Sequence, residues 1–244
     1  MGVDHDNSQI VVAFRGSGNL QNWLHNVAFV QTPYDSYSSC GSKCRVHVGF
    51  MASYFSLREE TRNAVLALRS TYPTYGVVAT GHSLGGALAT LAAADLQELL
   101  SRGHLSPAPP PLTLYTFGSP RVGNAAFAQW VASLLSSGAS YRITHARDPV
   151  VRLPLRSWDY SHVVHEVFYK TGSNSSRIMC ADTVSKEDKK CSTGTLSVVT
   201  EDHLHYMGET TDCECGASDK KTQAPTLSWK VYIQLTWEFA KSVF

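Results

Sequence analysis

The sequence predicts an α/β protein with a mostly parallel central sheet covered by helices, and three observations carry that expectation. Short β-branched or aromatic runs alternate with helical runs along the chain, which is the signature of strand–helix–strand units. The 244 residues suffice for one large domain, and at 43% hydrophobic they can fill a substantial core. The pentapeptide Gly81-His82-Ser83-Leu84-Gly85 stands where an apolar strand meets a helix, and such junctions belong to parallel sheets.

The elements follow in order. Ile10 to Phe14 reads as a buried strand ending at Arg15-Gly16-Ser17-Gly18. Leu20, Trp23, Leu24 and Val27 recur at helical spacing over about two turns. Leu57 to Ser70 is a longer helix, with Leu57, Val65, Leu66 and Leu68 among its apolar residues. Tyr75 to Thr80 is the strand before the pentapeptide, and the helix after it runs to about Leu100 through a chain of strong helix formers. Ser101 to Pro111 is too rich in Gly and Pro for regular structure. Leu112 to Phe117 is a strand, Ala125 to Leu135 a helix, and Tyr141 to His145 a strand. His162 to Tyr169 reads as another strand, with Val163, His165, Val167 and Tyr169 alternating against Val164, Glu166 and Phe168. Near the end, Val231, Ile233, Leu235, Trp237 and Phe239 alternate like a strand. There is no internal repeat.

A serine at a strand-to-helix turn projects its oxygen out of the fold, and small residues two before and two after it let the two elements close. The free amides at the start of the helix favour negative charge there. Ser83 is therefore a candidate nucleophile; the plainer alternative is a Gly/Ser turn with Ser83 as helix N-cap. A nucleophilic serine needs a base, and the base needs an orienting carboxylate. Asp148 follows the Tyr141–His145 strand, at the carboxyl edge where catalytic groups gather in parallel sheets, although an Asp-Pro turn is the competing reading. Of the ten histidines, His203 lies downstream of both and completes the order Ser83, Asp148, His203, with His205 as its nearest rival. His82 points the wrong way at the turn, and His162 and His165 read as structural. Two donors must converge on an oxyanion: the amide of Leu84 and the amide and hydroxyl of Ser17, unless Arg15-Gly16-Ser17-Gly18 is only a tight turn.

The net charge of +1 gives no reason to expect a nucleic-acid partner, and no apolar run reaches membrane-spanning length. Met1 to Asp6 is polar and does not read as a signal peptide, and Asp6 disfavours myristoylation at Gly2. Among six cysteines, Cys40 and Cys44 flank a short turn and Cys180 and Cys191 bracket a polar loop, so two bridges and an oxidising compartment are expected. Cys213 and Cys215 would strain if joined to each other, and no Cys-x-x-Cys pair supports zinc. Asn174-Ser175-Ser176 would accept a glycan in such a compartment.

Several stretches, taken in order, resemble one family, the fungal-type class 3 lipases, which include triacylglycerol lipases of filamentous fungi and related feruloyl esterases. They are Phe14-Arg15-Gly16-Ser17, Asn22-Trp23, His47-Val48-Gly49-Phe50, Gly81 to Ala87, Thr116 to Asn124, Arg147 to Pro154 and Asp202-His203-Leu204-His205-Tyr206. The resemblance covers about Val3 to Cys215. It implies an α/β-hydrolase domain over 1–216, an extension of uncertain role over 217–244, and an N-terminal part that looks truncated, so that Cys213 or Cys215 lacks its usual partner. It implies that Ser83 attacks an ester carbonyl, His203 removes its proton, Asp148 orients the imidazole, and Ser17 and Leu84 hold the oxyanion, with no metal or cofactor. It further implies that Leu20, Trp23, Leu24 and Val27 lie on a lid that opens at a lipid–water interface, with Val150 and Leu153 near the substrate; permanent packing of that stripe in the core is the alternative. The expected substrate is an acylglycerol and the expected location extracellular. A feruloyl-type or short-chain esterase, and a catalytically silent lipid-binding relative, are the competing readings.

Overall fold

A seven-stranded sheet organises the computed structural model, which describes residues 1–17, 29–34, 38–102, 110–171 and 177–211. Its strands are β1 (Gly2–Asp4), β2 (Gln9–Phe14), β5 (Gly76–His82), β6 (Thr113–Phe117), β7 (Ser140–His145), β8 (Glu166–Tyr169) and β9 (Arg177–Met179), in that spatial order. The pairs from β2 to β8 are parallel, and β1 and β9 add antiparallel edges. A separate ladder joins β3 (Gln31–Pro33) to β4 (Arg45–His47). A second ladder joins β10 (His205–Tyr206) to β11 (Glu209–Thr210).

The helices are α1 (Val48–Phe55), α2 (Arg58–Thr71), α3 (Leu84–Arg102), α4 (Ala125–Leu134) and the single turn α5 (Glu201–Leu204). Side chains alternate across a strand, so Ile10, Val12 and Phe14 of β2 face the helix-covered core with Val77 and Ala79 of β5, while Val11 and Val78 join Tyr115, Phe117, Ile143 and Val167 on the other face. Helix α3 is buried along most of its length, and its alanines bring its backbone close to the sheet. None of the helices of the described residues is long and apolar enough to cross a membrane.

Local chemistry explains the helix starts. Nδ1 of His47 accepts the amides of Gly49 (3.1 Å) and Phe50 (3.2 Å), so His47 caps α1 where a serine or aspartate more often does. Asn124 caps α4 through the Phe127 amide at 3.0 Å. In α2 the buried line is Thr61, Val65 and Arg69; Leu57 and Leu66, read above as apolar members of that helix, are exposed.

The strand expected over 162–169 is shortened to Glu166–Tyr169, and all four of its residues are buried. The preceding residues are engaged elsewhere. The Ser161 amide bonds Gly123 O, the His162 ring Nε2 lies 2.7 Å from Val151 O, and Val163 O accepts from Arg142 Nε, so this stretch packs across the sheet end and joins β7 only from His165 onward. Both expected bridges are formed, Cys40–Cys44 and Cys180–Cys191. Leu20, Trp23, Leu24, Val27, the Asn174 sequon, Cys213, Cys215 and the segment 217–244 lie outside the described residues.

Candidate active site

The site forms where β5, β6 and β7 end. Ser83 follows β5 with φ +57°, a left-handed backbone that a residue with a Cβ adopts at a cost, and its amide bonds Phe117 O at 2.9 Å. A Cβ on Gly81 would lie 2.3 Å from Gly85 O, and one on Gly85 would lie 2.1 Å from Phe14 O, so the glycines of the pentapeptide are a steric requirement of the turn. A plain N-cap has extended backbone; Ser83 does not, and it meets α3 through its carbonyl, which accepts the Gly86 amide. Ser83 is buried, one residue before the amino end of α3.

Asp148 follows β7 and is fully buried. Its Oδ2 lies 2.8 Å from His203 Nδ1 and accepts the Tyr206 hydroxyl at 2.5 Å, while its Oδ1 accepts the Val150 amide at 2.7 Å. Three donors thus hold the carboxylate without solvent. His203 sits on α5, 1% exposed, and its second nitrogen, Nε2, has no hydrogen-bond partner among the described residues. Gly118, at φ +59°, makes room for the pair. A Cβ there would stand 3.0 Å from both Asp148 Oδ2 and the His203 ring.

His82 packs against this pair. Its ring centroid is 4.4 Å from that of His203, and its Nε2 is 2.8 Å from the His203 carbonyl oxygen. Burial, with the neighbouring His203 adding to it, pushes the His82 imidazole down to about 3, so the ring is neutral and donates its Nε2–H to that carbonyl. His82 therefore props the backbone of His203. Burial and the adjacent Asp148 raise the Tyr206 phenol well above its ordinary range, which keeps it a donor. On the outer side, Arg147 clasps Asp202 through both its amide and Nε, each 3.0 Å from Oδ2, and fixes the turn that carries His203.

Gly16, two residues after β2, lies against the turn: a Cβ there would be 2.9 Å from His82 O and 3.3 Å from Ser83 Cβ, and Ser17 is the next residue; Leu84 follows Ser83 and begins α3. The Val150 side chain is buried and its amide serves Asp148; Leu153 is half-buried, and its carbonyl accepts the Arg121 amide. His205 is exposed and bonds Glu201 O through Nδ1, away from the carboxylate. Tyr206 and His82 have roles that sequence reasoning did not assign. Tyr206 stands three residues after His203, yet nothing in that spacing says that its hydroxyl turns back to Asp148.

Glu166, Cys180 and Cys191 are a close group of potential metal ligands among the described residues, but the two sulfurs are joined to each other and offer no thiolate.

A family model described as "Lipase (class 3)" matches residues 11–158. The chain is 37% identical over 216 residues to secreted mono- and diacylglycerol lipase 1 of Fusarium solani, covering 86% of this chain and 60% of that protein. It is 38% identical over 204 residues to a lipase of Rhizomucor miehei, covering 82% and 52%. Among solved structures, the lipase of Rhizopus microsporus var. chinensis superposes with a TM-score of 0.74 at 34% identity, covering 84% of this chain and 68% of that one. A triacylglycerol lipase described as having a serine protease triad for its catalytic centre superposes with a TM-score of 0.72 at 35% identity, covering 84% and 74%. The chain thus spans 52% to 60% of the length of these two curated relatives.

Proposed function

The chain belongs to the class 3 lipase family and has the α/β-hydrolase fold, and from that premise we propose that it is a serine carboxylic ester hydrolase acting on acylglycerols. The observation that carries the reading is the buried Asp148–His203 pair, whose Nε2 has no hydrogen-bond partner among the described residues and whose imidazole packs on His82, the residue before the strained Ser83. In this reaction Ser83 Oγ attacks the ester carbonyl carbon while His203 Nε2 takes its proton. The carbonyl oxygen becomes an oxyanion, held by the Leu84 amide at the positive end of α3 and by Ser17. The tetrahedral intermediate collapses, the C–O bond to the alcohol breaks, and His203 returns the proton to the departing alkoxide. Water then attacks the acyl-enzyme with His203 again as base, releasing the carboxylic acid and Ser83. Asp148 stays ionised throughout; Tyr206 and Val150 satisfy its remaining lone pairs so that it need not take the proton.

The names of the relatives, which speak of mono-, di- and triacylglycerol lipases, support acylglycerol as the substrate class, and "secreted" in one name agrees with two disulfides in placing the protein outside the cell. Exposed apolar side chains support contact with a lipid surface: Val30, Val48, Leu155 and Trp158, the last packed on Phe29 at 5.1 Å. The segment of Leu20, Trp23, Leu24 and Val27 is the proposed lid. The test is the initial hydrolysis rate on tributyrin from below to above its solubility limit, with Ser83→Ala as control and circular dichroism to establish folding. A Ser83-dependent rate that jumps when droplets form is expected, and Trp23→Ala should blunt the jump. A Ser83-dependent rate saturating below the limit would leave a soluble-ester esterase. A folded protein with no Ser83-dependent rate, unreactive to a fluorophosphonate, would overturn the proposal.

A further inference from the structure

A cleft of about 660 Å³ is lined by Arg147 and Asp202 but by neither Asp148 nor His203, and no step proposed above uses it. Its size is that of a small-molecule site. Its walls come from the ends of β7 and β8, from β9, and from the chain around the Cys180–Cys191 bridge, so elements of the sheet and a covalent staple fix its shape. Cations dominate the lining: Arg147, Lys170, Lys189 and Lys190 face one acidic residue, Asp202. Asp202 is spent on Arg147. The nearby Asp188 accepts the amides of Ala181 and Lys190 and also feels the Lys190 charge, without an ion pair to it. The three lysines are exposed and form no ion pair among the described residues. The lining also holds two large apolar residues, buried Phe168 and exposed Ile178. On the same wall, His145 is 7% exposed, and its Nε2 has no hydrogen-bond partner among the described residues.

Three lysines without an ion pair among the described residues, lining one cleft with Phe168 and Ile178, suit a ligand with one oxyanion and one alkyl chain. A free small anion leaves the apolar residues wet, and a neutral lipid leaves the lysines unpaired. We propose that this cleft binds the head and first carbons of an anionic amphiphile, a carboxylate or phosphate carried on an alkyl chain. Two sources share that chemistry, a fatty acid and an anionic phospholipid. The proposal does not depend on the hydrolytic reading, because binding alone tests it.

The experiment titrates the full chain with dodecanoate, dodecyl phosphate, dodecyl maltoside and inorganic phosphate, the amphiphiles below micelle formation, and follows amide NMR shifts at Thr171, Lys190 and Ser197. These residues line the cleft and report it separately from the Ser83 region. Saturable shifts are expected with both anionic amphiphiles, at least about tenfold tighter than with the maltoside or with phosphate. The substitutions Lys170→Ala, Lys189→Ala and Lys190→Ala together should weaken both by about tenfold or more. Ile178→Ser should weaken the alkyl probes and leave phosphate unchanged. Tighter binding of dodecanoate identifies a fatty acid as the source, and tighter binding of dodecyl phosphate a phospholipid head. Equal affinity for the maltoside, equal affinity for bare phosphate, or unchanged binding in a triple variant with a native spectrum would overturn it.

Discussion

Asp148 and Glu187 are both buried carboxylates facing a nitrogen base, and they differ in what the base has left to give. Glu187 receives Nε and Nη2 of Arg121 at 2.7 and 2.6 Å, and Nη1 of Arg121 is bonded to Pro154 O at 2.8 Å and to Arg152 O, so every nitrogen of the guanidinium is used. Asp148 receives Nδ1 of His203, while Nε2 of the same ring has no partner among the described residues. One pair closes on itself and fastens the Cys180–Cys191 loop to the turn after β6. The other leaves a buried ring nitrogen without a partner among the described residues, and an unmade buried hydrogen bond is costly. Burial and ion pairing alone therefore do not separate the two carboxylates; what separates them is the partner, a guanidinium with every nitrogen bonded beside Glu187 and an imidazole with one nitrogen unbonded beside Asp148.

Replacing each acid by its amide should separate the two cleanly. Asp148→Asn should lower kcat on a soluble ester by about 10⁴-fold, because the amide no longer holds His203 in the tautomer that accepts the serine proton. Glu187→Gln should leave kcat near the wild-type value and cost about 3–5 kcal/mol in urea unfolding, since it strands a buried guanidinium. If Glu187→Gln abolished activity in folded protein, or Asp148→Asn left it intact, the distinction would fail.

The pH dependence sharpens the contrast. Burial would raise the Glu187 carboxyl, but its bonds to Arg121 together with the electrostatic pull of His162, Arg121 and Arg142 outweigh that and hold it at about 2, against an ordinary 4.5. A depressed acid stabilises the fold above its unfolded value, and that contribution is lost as pH falls from about 4.5 through about 2. Wild-type unfolding free energy should therefore drop across this window, and Glu187→Gln should remove that part of the slope. A variant whose acid limb matches the wild type would show that Arg121 does not hold Glu187 ionised.

A smaller effect belongs to Tyr206. Its hydroxyl is one of three donors to Asp148, and a hydrogen bond to a charged group is worth about 1.5–3 kcal/mol. Tyr206→Phe should lower kcat by roughly 10- to 100-fold with little change in KM, since the phenol is buried behind the acid and the loss falls on charge stabilisation during reaction. A pure KM effect would place Tyr206 at the substrate instead.

Much of this was legible in the sequence, and the failures have physical causes. Runs of β-branched, aromatic or strongly helix-forming residues marked β2, β5, β6, β7 and α3, which are buried nearly throughout. Periodicity overran at 162–165, where apolar residues are buried by contacts across the sheet end rather than by a ladder. It passed over β3, β4 and β9, which are three residues each, too short for any period. The stretch Thr116 to Asn124 was legible only as a signature. The structure supplies its reasons: Gly118 clears space for Asp148 and His203, Arg121 pairs with Glu187, and Asn124 caps α4. Such contacts join residues far apart in the chain, and no local pattern encodes them.

A last test asks how the Asp148–His203 pair is supported from behind. His82 lies under His203 as a neutral ring, its imidazole pushed down to about 3 by burial and by His203, while an unfolded histidine titrates near 6.5. Below 6.5 the unfolded chain binds a proton that the folded one refuses, so folding stability declines as pH falls from 6.5 to about 3 and is flat with respect to this group outside that window. The two windows overlap between about 3 and 4.5, so the span from 6.5 to 4.5 is the part of a pH series that reports His82 without Glu187. Glutamine can donate to the His203 carbonyl yet cannot titrate. His82→Gln should therefore flatten the limb between 6.5 and 3 by up to about 1.4 kcal/mol per pH unit. If His82 acts only by propping His203, its cost in kcat at neutral pH should be far below that of Asp148→Asn, and His82→Ala, which loses the donor, should cost more than His82→Gln. Equal losses in the two variants would mean that the ring contact with His203, and not the hydrogen bond, positions the base.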